Sequence, residues 1–401
     1  MRIGICGPIN PSELREFLRE QQILPSINKG ASAINTYVKE LLRQGHNVVA
    51  FTSAVPSKET NNIVLKGDCL EIHVIHSTPG LFLTHTLSRL YMVRRLKNYM
   101  RPYIGELDVL HAQWTYDFAL AAKAYENVIP VFCTVRDWCP YIMSIQKGLR
   151  KAQWYLYYVI FKNVMNSKRI QFIANSEYTR DQIATKYPSK KTCIIYNPID
   201  KAFILNKKLL DIQGIVFISI ASSLTEGRKN IKTLLEAFHI FHNEHPDSRL
   251  KLVGSGLEME TPFYLKYKAL GLLDSVDILG QLKHDDLIKE IDKSTCLVHP
   301  SLEETFGNIL IEGMARRIPV IGGKNAGAVP QVLENGECGV LCDVENVDSM
   351  FAAMEQAINK EFSRVIVDKA TKTIKKKYSS DSIVEKHVEL YEKYQRNNMN
   401  S

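Results

Sequence analysis

The sequence predicts an α/β protein with two doubly wound domains, each built around a parallel β-sheet. Short apolar runs rich in Val and Ile alternate with helical patterns along the whole chain, and turn or charged residues bound each run. Runs of this kind are typical of strands that are buried on both faces. The chain has 401 residues, of which 45% are hydrophobic and 23% are charged, and this length suits two domains.

The first half contains seven runs that we interpret as strands. In order they are RIGICG, NVVAFT, EIHVIH, DVLHAQ, PVFCTV, RIQFIANS and KTCIIYN. A helical pattern covers residues 31–44, ASAINTYVKELLRQ, and Gly45 follows it as a typical C-terminal stop. Strand, helix and strand in this order predict a parallel sheet with helices on both faces.

The second half repeats this pattern with the runs GIVFISIAS, RLKLVGSG, SVDILG, TCLVHPS, IPVIGG and CGVLCDV. A segment with two prolines and several lysines separates the halves near residue 200. We therefore predict Rossmann-like domains at residues 1–200 and 201–378, facing a cleft that would hold the ligand. The last helix, within residues 379–401, has apolar residues at helical spacing, and we expect it to pack back on the N-terminal domain.

Composition narrows the class of protein only in part. The net charge of +8 favours an anionic partner, such as a nucleotide, a nucleic acid or an anionic membrane surface. The eight cysteines are scattered, and Cys338 and Cys342 have no partnering His or Cys cluster, so we expect reduced thiols and no metal site. The N-terminus enters a strand directly and no stretch approaches a spanning helix, which predicts a cytoplasmic protein.

Two glutamates flank a Phe-Gly turn in SLEETFGNILIEGMARRIPVI, residues 301–321. The order strand, loop, helix puts Gly307 at a helix N-terminus, where free N–H groups and the helix dipole attract an anion such as a phosphate. Glu304 and Glu312 would then accept hydrogen bonds from the hydroxyl groups of a sugar and a ribose. Alternatively, Glu304 only favours the helix start, and Glu312 pairs with Arg316 at i, i+4. The stretch by itself does not decide between these interpretations.

Arg228 and Lys229 come after a strand and just before a helix, in SIASSLTEGRKNIKTLLEAF. Two cations at the carboxyl end of a strand suit a diphosphate, because Arg binds oxygens in a fork and Lys acts as a point charge. The alternative is a solvated basic helix start, although cations are poorly placed at a helix N-terminus. In LVGSGLE, Gly254 would let a ligand approach the backbone, but a two-glycine turn is common and the signal is weak.

In the first domain, Gly30 lies in a loop before a helix, which is another candidate position for an anion or a hydroxyl group. Arg136 and Asp137 follow a buried strand and would face the cleft, unless they pair only with their neighbours. Residues 89–103 and 148–169 mix Lys and Arg with Tyr and Leu, which suits an interfacial helix on an anionic membrane. An ordinary helix packed on the sheet is the simpler interpretation of the second segment.

Taken together, these features resemble the GT-B glycosyltransferases, specifically the retaining nucleotide-sugar transferases of family 4, also called glycosyl transferases group 1. The resemblance covers nearly the whole chain. Its most specific part is HPSLEETFGNILIEGMARRIPVIGGKNAGAVPQVLENGECGVL, while RKNIKTLLEAF, RLKLVGSG, ILGQL and IANSEYTRDQI fall in the family's usual order. The resemblance implies an acceptor-binding first domain and a nucleotide-sugar-binding second domain.

The resemblance also implies roles for individual residues. Glu304 would contact the donor sugar and Glu312 the ribose, while Lys229, with Arg228 in support, would bind the diphosphate. We therefore assign catalysis to Arg228, Lys229 and Glu304. The substrate-binding positions would be Gly30, Arg136, Asp137, Ser222, Gly254, Thr305, Phe306, Gly307, Asn308 and Glu312. No cofactor or metal is expected, and the donor would be a nucleoside-diphosphate sugar, with uridine favoured as the common choice of the family.

The chain departs from the family pattern in three places. Arg136 stands where the family often has His, Ser222 and Ser223 replace the usual Gly-Arg turn, and Gln331 stands where Glu is frequent. Arg136 leaves open a non-catalytic sugar-nucleotide-binding protein or partner subunit, and a second alternative is an epimerase or hydrolase on the same fold. The expected reaction is retaining, metal-independent transfer to a saccharide or lipid-linked acceptor, with no nucleic-acid partner and with contact to the inner face of a membrane as an open question.

Overall fold

The computed structural model describes residues 1–20, 22, 24, 32–54, 63–76, 85–204, 214–224 and 227–399. The chain forms two compact units. Unit 1 comprises Met1–Pro198 with Ser380–Ser401, and unit 2 comprises Ile199–Ser379. Both are α/β units built on a sheet that is parallel throughout in unit 2 and mainly parallel in unit 1.

Unit 1 contains eight strands in the described part of the chain. They are β1 (Arg2–Cys6), β2 (Asn47–Ala54), β3 (Ile63–Lys66), β4 (Leu70–His76), β5 (Val109–Gln113), β6 (Val131–Val135), β7 (Gln171–Ala174) and β8 (Thr192–Ile194). The helices between them are α1 (Ser32–Arg43), α2 (His85–Met100), α3 (Asp117–Lys123), α4 (Cys139–Ile145), α5 (Gly148–Met165) and α6 (Glu177–Lys186). The strand order is β3-β4-β2-β1-β5-β6-β7-β8.

The expectation of a purely parallel sheet is wrong at one edge of unit 1. Strand β3 pairs antiparallel with β4, with Ile63 opposite Val74, and it was not recognised from the sequence. Its pattern of intermediate, exposed, buried and exposed residues belongs to an edge strand with one solvent face. The strands that were predicted from continuous Val- and Ile-rich runs lie inside the sheet or at its other edge, and their mutual pairings are parallel.

Unit 2 contains six strands and seven α-helices in its described residues. The strands are β9 (Val216–Ser223), β10 (Arg249–Ser255), β11 (Val276–Gly280), β12 (Cys296–His299), β13 (Val320–Gly323) and β14 (Val340–Cys342). The helices are α7 (Ile231–Glu244), α8 (Pro262–Ala269), α9 (His284–Asp292), α10 (Asn308–Ala315), α11 (Val329–Val332), α12 (Val347–Ile358) and α13 (Lys360–Thr373). A short π-helical segment, Ile374–Tyr378, follows α13.

The sheet of unit 2 has the strand order β11-β10-β9-β12-β13-β14, and all of its pairings are parallel. This is the doubly wound order 3-2-1-4-5-6, in which the winding reverses between the first and fourth strands. The reversal falls between β9 and β12, and the carboxyl ends of the two strands at such a reversal are the usual ligand position of this fold. A ligand of this unit is therefore expected beside the loops that follow β9 and β12.

The last helix, α14 (Ser380–Met399), returns to unit 1 and packs against α1. Its Ile383, Val384 and Tyr391 are fully buried in the same apolar cluster as Tyr37 of α1. The hydroxyl groups of Tyr37 and Tyr391 lie 2.5 Å apart, so the helix is held by a polar contact as well as by apolar burial. Helix α1 ends as expected, because Gly45 has φ +81° and takes the left-handed position after the last turn.

Candidate functional site

Four side chains of unit 2 meet at the carboxyl ends of β9 and β12. Arg228 and Lys229 lie in a short 3-10 turn after β9, and Glu304 lies in the loop after β12, which ends at His299. The two loops are tied directly, because the N–H of Leu302 donates to the carbonyl oxygen of Arg228 at 2.9 Å. We refer to Arg228, Lys229, His299 and Glu304 as the carboxylate cluster.

All contacts in the carboxylate cluster converge on one oxygen atom, Oε1 of Glu304. Lys229 Nζ lies 2.6 Å from it, His299 Nε2 3.2 Å and the nearest Arg228 nitrogen 3.4 Å. The same Arg228 nitrogen donates to the carbonyl oxygen of Glu303 at 2.9 Å. The two cations that the sequence analysis selected therefore contact Glu304, the first of the two selected glutamates. Lys229 and Glu304 are 75 residues apart in the chain.

This arrangement fixes the charge states in the cluster. Burial alone raises the pKa of Glu304, but Lys229, the His299 N–H group and Arg228 outweigh burial and hold the pKa well below its usual value. Burial lowers the pKa of His299; the hydrogen bond and charge of Glu304 oppose this, and Lys229 and Arg228 lower the pKa further. Glu304 is thus ionised and His299 neutral at pH 7. Since a carboxylate only accepts, the His299 proton is on Nε2.

The loop between Glu304 and α10 is set by its backbone. The N–H of Ala328 donates to the carbonyl oxygen of Glu304 at 2.8 Å, and Glu304 forms an isolated β-bridge with Gly327. Gly307 is the N-cap of α10 with φ +86°, a conformation that a residue with a Cβ atom adopts only with strain. A Cβ atom there would lie 2.8 Å from Leu310 Cδ1. The predicted helix N-terminus at Gly307 is present, and it lies next to Glu304.

Glu312 lies on α10 and is buried, but the alternative that pairs it with Arg316 is wrong. The Arg316 guanidinium binds Asp292 of α9 through two parallel bonds of 2.7 and 2.6 Å, and it also donates to the carbonyl oxygen of Phe203 at 3.3 Å. A fork of two bonds to one carboxylate on a neighbouring helix is stronger than an i, i+4 contact along the helix. Arg316 therefore anchors the C-terminal end of α10.

The remaining predicted residues of this loop have mixed environments. Phe306 is buried, and its ring packs edge-on against Tyr378 at 5.7 Å between centroids, so its side chain belongs to the core of unit 2. Thr305 is also buried, and Asn308 is the first residue of α10.

Gly254 lies where β9 and β10 approach each other closely. A Cβ atom at this position would lie 2.1 Å from the carbonyl oxygen of Ala221, so the close approach that requires glycine is between β10 and β9. Ser222 is exposed at the end of β9, and its carbonyl oxygen accepts from Ser255 Oγ at 2.9 Å. A ligand contact of Gly254 stays a prediction, and Ser222 lies at the strand end where it was expected.

The predicted residues of unit 1 form a separate group. Arg136 follows β6 and donates from Nε to Gln113 at 2.8 Å and from a terminal nitrogen to Asn197 at 2.6 Å. Burial lowers its pKa to about 10, so it stays charged at pH 7. Asp137 accepts a hydrogen bond from the Tyr116 hydroxyl at 2.9 Å. The alternative that these two residues bind their neighbours is thus observed, and Gly30 lies outside the described residues.

Sequence reasoning missed His299, the fourth member of the carboxylate cluster. The signal was present in TCLVHPS, where a histidine ends a buried strand directly before the glutamate loop. Across the described residues, no three His, Cys, Asp or Glu side chains lie close enough together to hold a metal ion. None of the helices in the described ranges is both long and apolar enough to cross a bilayer.

Family models match most of this chain. Residues 31–203 match Glycosyltransferase Family 4, and residues 200–379 match Glycosyl transferases group 1. The chain belongs to this family of GT-B glycosyltransferases. The predicted family and enzyme class are confirmed, as are the two Rossmann-like domains apart from the antiparallel edge strand of unit 1.

Individual relatives agree with this assignment at low identity. The N-acetyl-alpha-D-glucosaminyl L-malate synthase of Bacillus anthracis is 24% identical over 382 residues, 92% of this chain and 94% of that protein. The sucrose-phosphate synthase structure from Thermosynechococcus elongatus has a TM-score of 0.75 at 16% identity, over 98% of this glycosyltransferase and 99% of that chain. The Anabaena HepE structure in complex with UDP-glucose has a TM-score of 0.69 at 15% identity, with coverages of 98% and 100%.

Proposed function

We propose that this glycosyltransferase moves a sugar from a nucleoside-diphosphate sugar to a hydroxyl group of a saccharide or lipid-linked acceptor, with retention of the anomeric configuration and without a metal ion. The observation that carries the proposal is the carboxylate cluster at the reversal of strand order, beside the N-terminus of α10. Two cations, a helix N-terminus and an ionised carboxylate at one crevice match the parts of a sugar diphosphate. A UDP-sugar is the favoured donor, which the UDP-glucose complex of HepE supports.

The diphosphate would bind to Arg228, Lys229 and the N-terminus of α10. An ammonium group has three N–H donors, and Glu304 uses one of those of Lys229. The others are available for phosphate oxygens, and the α10 dipole adds attraction for the same anion. Preorganised donors at the leaving group stabilise the charge that develops on it, so this chain's own residues provide the electrostatic part of catalysis.

Glu304 would accept a hydrogen bond from a hydroxyl group of the donor sugar, and Glu312 would hold the ribose. The carboxylate of Glu304 is kept ionised by its cations, which suits a hydrogen-bond acceptor and does not suit a general acid. In the transfer step the acceptor oxygen forms a bond to the anomeric carbon, and the bond from that carbon to the leaving phosphate oxygen breaks. The acceptor proton passes to the leaving phosphate on the same face, which gives retention without a protein nucleophile.

We further propose that unit 1 contacts an anionic membrane through α2 and α5. The two helices are linked, since the Arg89 guanidinium of α2 lies 3.8 Å from the ring centroid of Tyr157 on α5. Together they expose large apolar and basic side chains: Leu90, Tyr91, Arg94 and Lys97 on α2, and Leu149, Arg150, Lys151, Tyr155, Val159 and Lys162 on α5. Basic side chains among exposed aliphatic and aromatic ones suit the interface of an anionic bilayer.

Donor and reaction are tested on a panel of UDP-, GDP- and ADP-sugars. Thermal shift identifies the donor, and release of nucleotide with saccharide or lipid-linked acceptors measures transfer. Lys229→Ala is expected to lower turnover by roughly 10²-fold, the effect of losing one donor to the developing charge. The control is Lys232→Ala, whose side chain is 59% exposed and paired with Glu236, and which should leave turnover unchanged. Unchanged turnover of Lys229→Ala at saturating donor contradicts its role.

Two product measurements test the rest of the proposal. The anomeric configuration of the product, determined by NMR, decides between retention and inversion, and an unchanged rate in excess EDTA is expected for a metal-independent reaction. Product formation without any acceptor would indicate an epimerase or a hydrolase instead. Glu312→Ala should weaken donor binding in titration calorimetry, and an unaltered affinity counts against the ribose contact.

Membrane contact is tested by flotation with anionic and neutral liposomes at low and high salt. The double variant Arg150→Glu and Lys151→Glu should reduce flotation with anionic liposomes roughly tenfold or more, because each basic residue near the surface contributes attraction. The double variant Lys289→Glu and Lys293→Glu changes the net charge equally in unit 2 and is the control. Equal effects of both double variants, or no flotation of the wild type, refute the surface.

A further inference from the structure

The Glu304 carboxylate is held from one side only. Every polar contact that its side chain makes with described residues ends on Oε1. Its other oxygen, Oε2, has no hydrogen-bond partner among the described residues. Oε2 is not fully buried, and the Glu304 side chain is 14% exposed. The carboxylate is therefore fixed through one oxygen and open to a ligand through the other.

The three donors to Oε1 differ in how firmly they are anchored. Lys229 and Arg228 reach Oε1 through long side chains from a short 3-10 turn. His299 has only two side-chain torsions, is 3% exposed, and lies in β12, where it pairs in register with Gly322 of β13. The imidazole is thus the donor whose position is set by the sheet itself.

The three donors also differ in their response to a bound diphosphate. Lys229 and Arg228 are cations, and a diphosphate at the N-terminus of α10 attracts both of them away from Glu304. His299 is uncharged at pH 7 and is not attracted in this way. Its N–H group is the contact to Oε1 that persists when the cations turn to the diphosphate.

We propose that His299 is a positioning residue, which keeps Glu304 Oε1 fixed so that Oε2 faces a hydroxyl group of the donor sugar when Lys229 and Arg228 bind the diphosphate. The inference rests on the proposed function of the carboxylate cluster and names the residue that gives it selectivity for the sugar. It separates two contributions to donor affinity. The cations bind the diphosphate, while the pair of His299 and Glu304 binds the sugar.

The test compares binding of a sugar donor with binding of its sugar-free diphosphate. The probe is the nucleoside-diphosphate sugar that raises the melting temperature of the wild type most, together with the matching nucleoside diphosphate, both measured by titration calorimetry. His299→Met should weaken binding of the sugar donor roughly tenfold, the effect of losing one hydrogen bond to a charged group. Binding of the sugar-free diphosphate should change less than about twofold, because it does not use Glu304.

Two polar replacements distinguish positioning from packing. The amide nitrogen of His299→Gln can reach the place of Nε2 and should restore most of the selectivity for the sugar donor. His299→Asn places its amide nitrogen near Nδ1 and should behave like His299→Met. The matched control is His242→Met, a histidine of α7 that binds Ser248 and Ser275 and has no contact with the carboxylate cluster. Melting temperatures of all variants report on folding.

The possible outcomes distinguish a failure of the role of His299 from a failure of the proposed function. If His299→Met and His299→Gln bind the sugar donor like the wild type, or if every His299 variant weakens donor and diphosphate equally, His299 does not position Glu304. If His299→Met does not fold, the difference between His299→Gln and His299→Asn decides the same question. If the wild type binds no nucleotide sugar at all, the proposed function is wrong and this inference is wrong with it.

Discussion

The ion pair between Lys229 and Glu304 can be measured by a double-mutant cycle with Lys229→Met and Glu304→Gln. Met keeps the length of the Lys side chain and Gln keeps the shape of Glu, so each change removes the charge with little loss of packing. The pair is short, at 2.6 Å, and the two side chains are only 10% and 14% exposed. Coupling between the two substitutions in the free energy of unfolding isolates the interaction.

The expected size of the coupling follows from distance and burial. At 2.6 Å and an effective dielectric constant of about 20, two unit charges attract by about 6 kcal/mol. Desolvation of both ions opposes this attraction by several kcal/mol. We expect a net coupling of about 2 to 3 kcal/mol. Lys229→Met alone should cost less than a fully orphaned charge, because Arg228 at 3.4 Å and His299 still compensate Glu304.

The assay uses the uneven distribution of tryptophan. Trp114, Trp138 and Trp154 all belong to unit 1, so tryptophan fluorescence during urea denaturation reports on that unit, while far-UV circular dichroism reports on both. The substitutions should shift the circular dichroism transition and leave the fluorescence transition in place. A second cycle on Lys289 and Asp286 provides the control, since they are 2.9 Å apart but both more than half exposed.

Either of two results would contradict this prediction. The exposed control pair should show no measurable coupling, so an equally small coupling for Lys229 and Glu304 would mean that burial adds nothing to this ion pair. A parallel shift of the fluorescence transition would mean that the effect is not confined to unit 2. The first result would contradict the electrostatic compensation of Glu304, and the second would contradict the assignment of the effect to unit 2.

Three further predictions concern other parts of the chain. Burial lowers the pKa of His387 from 6.5 to about 4, so its stabilising effect is present above pH 6.5 and is lost as the pH falls; His387 should account for about 2 kcal/mol of the stability that unit 1 loses by pH 5 in fluorescence-monitored urea denaturation, His111 with its lowered pKa adds to that loss, and His387→Leu should remove the His387 part. Arg316→Leu breaks the fork to Asp292 and should destabilise unit 2 by about 3 kcal/mol, with Arg316→Lys recovering only part; an unchanged circular dichroism midpoint contradicts this. Gly307→Ala adds a clash with Leu310 to the strain of φ +86° and should cost more than the 1 to 2 kcal/mol of strain expected for Gly271→Ala, whose φ is +68° with open space around it. Equal midpoints for the two alanine variants would show that the clash is relieved.

The sequence predicted the parallel strands well because their signal is local. A strand buried on both faces needs a continuous apolar run, and each such run can be seen without knowledge of its neighbours. The edge strand β3 has one solvent face and only four residues, Ile63–Lys66, so its alternation is too short to stand out. Its antiparallel pairing with β4 cannot be predicted from the residues of β3 alone.

The candidate site shows the same division between local and non-local information. Three features of the site are local: the Phe-Gly turn, the N-cap at Gly307 and the cations after β9. All three are found at their predicted positions. The Glu312–Arg316 pair failed because an i, i+4 rule considers one helix only, whereas Asp292 reaches Arg316 from α9. The need for glycine at position 254 is also non-local, since the atom that requires it belongs to β9.

The contact between Lys229 and Glu304 is intermediate between these two cases. Neither residue indicates the other in sequence, but the order 3-2-1-4-5-6 makes β9 and β12 neighbours, so the loops that follow them must meet. Two cations after one strand and a carboxylate after the other then have to interact, because a buried carboxylate without compensation is costly. The cations stabilise Glu304. A diphosphate that draws them away must leave the carboxylate another donor, and in this cluster the remaining donor to Oε1 is His299.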